Sequence, residues 1–377
     1  METFKDYAQQ YLAESEYEKA HSTFISERSK VNNLIKVFGK RAIETINQSA
    51  IKSWRIKAHK KFSNKTINEH LTILRSTFSS ALADGLLLRN PMAGIENLTI
   101  NKTTPKPFVR DELIKLNAVQ TQCPSGKVFA LLGVLTGLRP SELCALTWDC
   151  VDFQKEHLHV NKAKVLGKYK VPKTQESIRV VELNQHAISL LESHFKITGN
   201  ARYRVIKIRQ QDNKSLEKQR VRHVFINSKT NKPFIDAKQY GQTFFRPFLI
   251  EAKVKHRGPS QLRHTFASQC LTTGISMVWI ARQMGHTSTN MVEEHYAKWI
   301  ESDAPNHSAS FSKSLDSVFN QVGKTSPQML VKRCPQSIGH WAVFLMEKTT
   351  AGHVNQYIPS SSPQLFIQSR CIRRGGI

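Results

Sequence analysis

The stretch "GKVFALLGVLTG", residues 126–137, is apolar on nearly every face of a helix. Such a helix has no side suited to water, so it is expected to be buried among other elements, with Gly137 placed to stop it. A chain built around it needs a sizeable core. The 377 residues are 40% hydrophobic, enough for cores in two to three domains of ordinary size. No run approaches the ~18 consecutive apolar residues of a membrane span. The opening "METFKDYAQQYLAES" lacks the charged-then-apolar layout of a signal peptide. The expected setting is the cytoplasm, with no membrane partner.

Charge narrows the function. Lys and Arg number 55 against 29 Asp and Glu, a net charge of +26. A field of that sign attracts polyanions, nucleic acid first among them. Neutralising phosphates releases counterions, so binding should weaken steeply with salt. The cations are spread along the chain rather than massed in one tail, which points to a folded protein gripping a duplex. Cys123, Cys144, Cys150, Cys270, Cys334 and Cys371 form no C-x-x-C pair, and the histidines form no H-E-x-x-H. No phosphate loop ending in G-K-S/T occurs either. Neither a metal nor another cofactor is expected.

Composition divides the chain. Residues 1–96 read as helical: in "KTINEHLTILRSTFSSALADG", Ile67, Leu71, Leu74, Phe78 and Ala81 share one face, with Ser63 as cap and Gly85 as stop. The segment "INQSAIKSWRIKAHKKF" carries Lys52, Arg55, Lys57, Lys60 and Lys61, which are expected to contact phosphates. Residues 97–107, polar and proline-containing, read as a linker. A second unit runs over 108–303. Within it, "HLHVNKAKVLGKYKVPKTQESIRVVEL" has strand character through Val171, Ile178, Val180, Val181 and Leu183, with "KTQES" as a hairpin turn. Residues 197–222, dense in basic and polar side chains, read as an extended insertion or long loop. Helices return in "SQLRHTFASQCLTTG" and "SMVWIARQMG". Residues 304–377 show no sustained period and are assigned no function. The fold class is mainly α with a small antiparallel β-sheet: a helical N-terminal domain followed by a mixed α+β domain.

Four islands place polar, reactive residues where the backbone turns outward. In "LTGLRPSELCALTW", Gly137 ends the buried helix and Pro140 suits the first turn of the next, so Arg139 lies at the bend. Taken alone, Arg139 is a structural ion-pair partner for Glu142. Lys173 sits at the tip of the expected hairpin. In "SQLRHTF", core-facing Leu262 and Phe266 put Arg263 on a flank of the helix, with His264 beside it. In "QMGHTS", Gly285 closes a helix and presents His286. Tyr296 follows ten residues later in a mostly polar segment, and Trp299 is a candidate packing anchor.

Taken together, these islands resemble the tyrosine recombinases, most closely the phage-integrase branch, over roughly residues 1–300. "TGLRPSEL" is similar to the segment with that family's first arginine, here Arg139, and "LRHTFA" to the segment with its second, Arg263. "MGHTSTNM" resembles the histidine segment, giving His286. "EEHYAKW" resembles the nucleophile segment, giving Tyr296. "VPKTQESIRVVEL" resembles the strand hairpin that bears a lysine, here Lys173. One position departs from the pattern: three residues before the second arginine the family usually has a histidine, and this chain has Ser260.

The resemblance implies a fold and a reaction. The helical unit would bind DNA and join a tyrosine-recombinase catalytic domain in a clamp around the duplex. Tyr296 would attack a phosphodiester and store its energy as a 3′-phosphotyrosyl link. The guanidiniums of Arg139 and Arg263 would match the non-bridging oxygens, and His286 would add a hydrogen bond. Lys173 would protonate the leaving 5′-oxygen. Implied partners are double-stranded DNA attachment sites and three further copies of the chain, a homotetramer working through a four-way junction. Accessory DNA-bending or directionality proteins belong to the same picture. The setting would be a bacterial host, on the nucleoid when bound, with the chain derived from a phage or prophage. Many integrases carry a small arm-binding domain ahead of the helical unit; this chain begins directly in "TFKDYAQQYLAE". Two other readings compete. One is a catalytically impaired remnant that only binds DNA, prompted by Ser260 and the atypical tail. The other is a helix-turn-helix regulator built on "FASQCLTTGISMVWIARQMGH".

Overall fold

A computed structural model describes residues 1–101, 104–172 and 177–296, with His295 and Tyr296 described by their backbone alone. Lys173, Trp299 and the segment 304–377 lie outside the described residues. No helix among the described residues is long and apolar enough to cross a membrane.

The first part of the chain is helical, as its periodicity predicts: α1 (Phe4–Glu18), α2 (His21–Phe38), α3 (Gln48–His59) and α4 (Asn64–Ala83). Ser63 caps α4 by accepting from the Thr66 backbone N–H, and Gly85 follows the helix in the left-handed region at φ 78°. Ile67, Leu71, Leu74, Phe78 and Ala81 are all fully buried. They meet Phe4, Phe38, Ile51 and Trp54 in one hydrophobic core of the helical part. The polar segment after α4 is stitched to it. Asn68 exchanges two hydrogen bonds with the backbone of Leu98, and Arg75 donates to the Ile95 carbonyl. Further along, the Phe108 N–H donates to Thr265 Oγ1 and the Lys106 N–H to Gln261 Oε1, so the same segment is also tied to the second part of the chain.

A second, larger core surrounds α6 (Pro124–Thr136), which follows α5 (Arg110–Ala118). Phe129 and Leu132 of α6 are fully buried, which meets the expectation for a helix without a polar face. The short α7 (Pro140–Leu143) comes next, then β1 (Val151–Asp152), β2 (His157–Val160), β3 (Ala163–Val165), β4 (Lys168–Lys170) and β5 (Arg179–Glu182). β1, β2 and β5 form an antiparallel sheet whose register sets Leu158 opposite Val181 and Val160 opposite Arg179. The chain continues through α8 (Gln185–Thr198), β6 (Arg204–Arg209), β7 (Leu216–Val221), β8 (Ile226–Asn227) and β9 (Lys232–Pro233). It then runs through α9 (Ala237–Tyr240), α10 (Arg246–Glu251), α11 (Ser260–Thr272), α12 (Met277–Met284) and α13 (Asn290–Tyr296). Helix α6 packs against α8 and α11, and the Tyr240 ring stacks on Phe129 at 3.9 Å between centroids.

Two local expectations are corrected. Among the described residues β4 and β5 belong to different sheets: β4 pairs with β3 through a turn at Leu166 and Gly167, and β5 pairs with β2, while the expected turn at residues 173–176 lies outside the described residues. The physical reason is that Tyr169, Ile206 and Ile208 share a separate small core, which draws β4 away from β5. The stretch 197–222 is no long loop. It ends α8 and then forms the β6–β7 hairpin, whose β6 joins β4 in parallel, Tyr169 opposite Ile208 and Lys170 opposite Arg209. The apolar alternation there is only Ile206, Ile208 and Val221, diluted among cations.

Candidate active site

Two left-handed glycines shape the site. Gly137 ends α6 at φ 65°, and a Cβ there would fall 2.4 Å from Phe266 Cδ1, so a side chain is excluded on two counts. The turn aims Arg139 out of the core, and Pro140 starts α7 immediately after it. Gly285 ends α12 at φ 67° and presents His286 in the same manner. Helix α11 lies between these turns and carries Arg263.

Arg263 is 7% exposed, deeper than the flank position expected from sequence. Its Nη1 donates to the Gly137 carbonyl at 2.6 Å, and its Nη2 to the Met284 carbonyl at 2.8 Å. The same Nη2 lies 2.7 Å from His286 Nε2. A guanidinium only donates, so Nε2 accepts and the neutral ring carries its proton on Nδ1. One side chain thus ties together the ends of α6 and α12 and the imidazole between them. Arg139 reaches the same place from the other turn: its Nη2 donates to the Gly285 carbonyl at 3.3 Å and its Nη1 to Glu142 Oε1 at 2.8 Å.

Glu142 and Arg179 complete the cluster. Arg179 lies within the segment "VPKTQESIRVVEL" but is not among the residues that the sequence singles out there. Along β5 and its flanking residues the core-facing positions are Arg179, Val181 and Leu183, while Ile178 and Val180 are 38% and 43% exposed. The signal is present as alternation in register with Val181, but an arginine between two β-branched residues reads as the outward position. From the inner side Arg179 pairs with Glu142 at 3.0 Å and donates from Nε to the Gln283 carbonyl at 2.6 Å. Glu142 is therefore a buried carboxylate shared by two guanidiniums, one of them the expected partner Arg139. Burial alone would push its carboxyl up; Arg179, Arg139 and Arg263 outweigh that and hold it below its ordinary value. Three guanidiniums around one carboxylate leave a net positive site, suited to an anion.

The sign of that shift has a consequence for stability. A carboxyl depressed in the fold stabilises fully above its ordinary value of 4.5 and loses this as pH falls through its folded value. Glu142→Gln is expected to cost about 3 kcal/mol at pH 7, because the buried arginines lose their counter-charge. Its melting temperature should also fall less than the wild type's between pH 5 and pH 3. Parallel melting profiles over that range would show that Glu142 is not the titrating support.

The remaining candidates are placed less completely. Ser260 is the first residue of α11 and is exposed; half-buried His264 projects about 100° further round the helix from Arg263, as expected. Ser260→His should leave or raise the rate of DNA cleavage, and a large drop in single-turnover rate would mark the serine as specialised. Tyr296 is the last described residue of α13, whose Val292 packs with Phe266, Ile280 and Met284 of α11 and α12. The backbone that carries Tyr296 therefore belongs to the same helix cluster as Arg263 and His286. Lys173 is outside the described residues, but its flanks are anchored: the Val171 N–H donates to the Arg209 carbonyl, and Arg179 holds the far side at Glu142. Lys52 and Lys57 of α3 and Lys60 and Lys61 just after it face solvent, and Arg55 of α3 is half-buried, donating to the Glu96 carbonyl. They spread around the exposed side of the helix rather than along one stripe, because Ile51, Trp54 and Ala58 take the inner face.

Solved integrases share this fold. The Tn1549 transposon integrase in complex with a circular intermediate DNA superposes with a TM-score of 0.65 at 22% identity, over 83% of this chain and 99% of that one. A lambda integrase tetramer bound to a Holliday junction gives 0.59 at 16% identity, over 78% of this chain and 77% of that one. In sequence, the Phage integrase family profile matches residues 110–301. IntQ of Escherichia coli, a protein designated defective, is 30% identical over 325 residues, 79% of this chain and 80% of that protein. The prophage integrase IntR of Escherichia coli is 31% identical over 241 residues, 63% of this chain and 58% of that protein. The chain belongs to the phage integrase family, and within it to the site-specific tyrosine recombinases.

Proposed function

We propose that this protein cleaves and rejoins DNA at specific sites through a 3′-phosphotyrosyl intermediate, as a phage or prophage integrase. The observation that carries the reading is the convergence of Arg139, Arg263 and His286, from three separate turns and helices, beside the helix that carries Tyr296. In-line attack on phosphorus gathers negative charge on the non-bridging oxygens, and a rigid, positively charged cluster stabilises that charge more than it does the ground state. Tyr296 is the nucleophile, Lys173 the general acid for the 5′-oxygen, and Ser260 stands where a second proton-handling residue is usual. The helical part, residues 1–96 with Lys52, Arg55, Lys57, Lys60 and Lys61, grips the duplex; 97–107 links it to the catalytic part, 108–303. Four copies act together on two attachment sites in the bacterial cytoplasm, with accessory DNA-bending or directionality proteins as further partners. The test is covalent capture: incubation with nicked suicide duplexes spanning the junctions that flank the gene should trap a protein–DNA adduct. A protein that binds those duplexes and never forms an adduct is instead the impaired, DNA-binding remnant.

A further inference from the structure

The sheet ordered β3-β4-β6-β7 has an inner side on the small core of Ala145, Tyr169, Ile206, Ile208 and Val221. Register assigns the other side. Val205 stands opposite Arg220, Lys207 opposite Lys218 and Arg209 opposite Leu216, all pointing away from that core. Lys168 of β4 shares this outer face, and Lys168, Lys207, Lys218 and Arg220 are exposed. The hairpin's two acidic residues stand elsewhere: Asp212 in the turn and Glu217 on the inner side opposite Ile208.

Three features separate this face from an ordinary solvated surface. Like charges directly across an antiparallel pair destabilise a sheet, yet Lys207 and Lys218 are so placed, and among the described residues neither joins an ion pair. The exposed Tyr203 ring holds two guanidiniums, Arg220 at 4.5 Å and Arg222 at 4.7 Å from its centroid. Val205 and Leu216 are 68% and 53% exposed between the cations. Cations at every second residue, interleaved with an aromatic and aliphatic side chains, fit a sugar–phosphate backbone. From Tyr203 to Arg209 this row is ~20 Å long at strand rise, enough to follow several phosphates. β4 runs from it directly into the segment that holds Lys173.

We propose that the outer face of the β6–β7 hairpin is an additional binding surface for the phosphate backbone of duplex DNA beside the cleaved site. This rests on the DNA-binding part of the proposed function. The experiment compares the wild type with a variant carrying Lys207→Gln, Lys218→Gln and Arg220→Gln on a 50-base-pair mixed-sequence duplex. The plot of log affinity against log salt should become shallower by roughly three for the variant, close to one for each lost phosphate contact. The variant should melt no lower than the wild type, because the opposed lysines are gone. A photo-crosslinking residue at Val205 should join to that DNA. An unchanged salt slope, or a crosslink to a second copy of the chain in place of DNA, overturns the proposal. An unchanged slope with new aggregation also overturns it and assigns the cations to guarding the edge strand β7. Cleavage is scored separately on nicked duplexes. A protein that binds through this face and never cleaves refutes the recombinase reading alone, and one that cleaves with an unchanged slope refutes this surface alone.

Discussion

Tyr296→Phe is expected to abolish covalent capture on a nicked suicide duplex while leaving DNA affinity within about threefold of the wild type, less than 1 kcal/mol. The substitution removes one oxygen, the atom that would bond to phosphorus, and leaves the ring in place. Helix α13 is held by Val292 against Phe266, Ile280 and Met284, contacts the change does not touch. Binding through cations elsewhere is equally untouched. An interaction made only in the reaction takes its whole effect in the chemical step. Denaturing electrophoresis of the trapped complex reads it directly. A Tyr296→Phe protein that still carries labelled DNA would move the nucleophile to another side chain.

Much of this geometry is legible in the sequence, and the exceptions have physical causes. A helix without a polar face marks the centre of the larger core at Phe129 and Leu132. The two glycines that end apolar runs, Gly137 and Gly285, announce the left-handed turns that present Arg139 and His286. Local chemistry decides such features, so they survive reading without a structure. Arg179 does not, because its position depends on which face of β5 the fold buries, and that is settled by Leu158 and Val181 across the sheet. The depth of Arg263 escapes for a similar reason. A helical period cannot show that the carbonyls of two distant turns will satisfy a buried guanidinium. The β6–β7 hairpin is hidden because its few core residues are outnumbered by cations that serve the surface. Strand pairing between β4 and β6 is a long-range choice that no local turn signal carries.

That burial of Arg263 leads to the second large effect. Arg263→Lys keeps the positive charge and is expected to slow single-turnover cleavage by roughly 10²–10³, the usual cost of one preorganised donor at a developing oxyanion. It should also destabilise the fold by about 1–3 kcal/mol, because buried carbonyls lose their donors. The planar fork reaches Gly137, Met284 and His286 from two nitrogens pointing in fixed directions. An ammonium offers its three N–H bonds from a single atom and cannot serve the ends of α6 and α12 and the imidazole together. Without that brace His286 loses the donor to its Nε2, so positioning and electrostatic stabilisation fall together. Arg139→Lys should cost less stability, since the Arg139 side chain is 36% exposed and its partner Glu142 keeps Arg179. Rates from rapid-quench cleavage and melting temperatures for both variants test the ranking. If Arg263→Lys cleaves within threefold of the wild type, charge alone suffices at that position and the fork geometry carries no part of the catalysis.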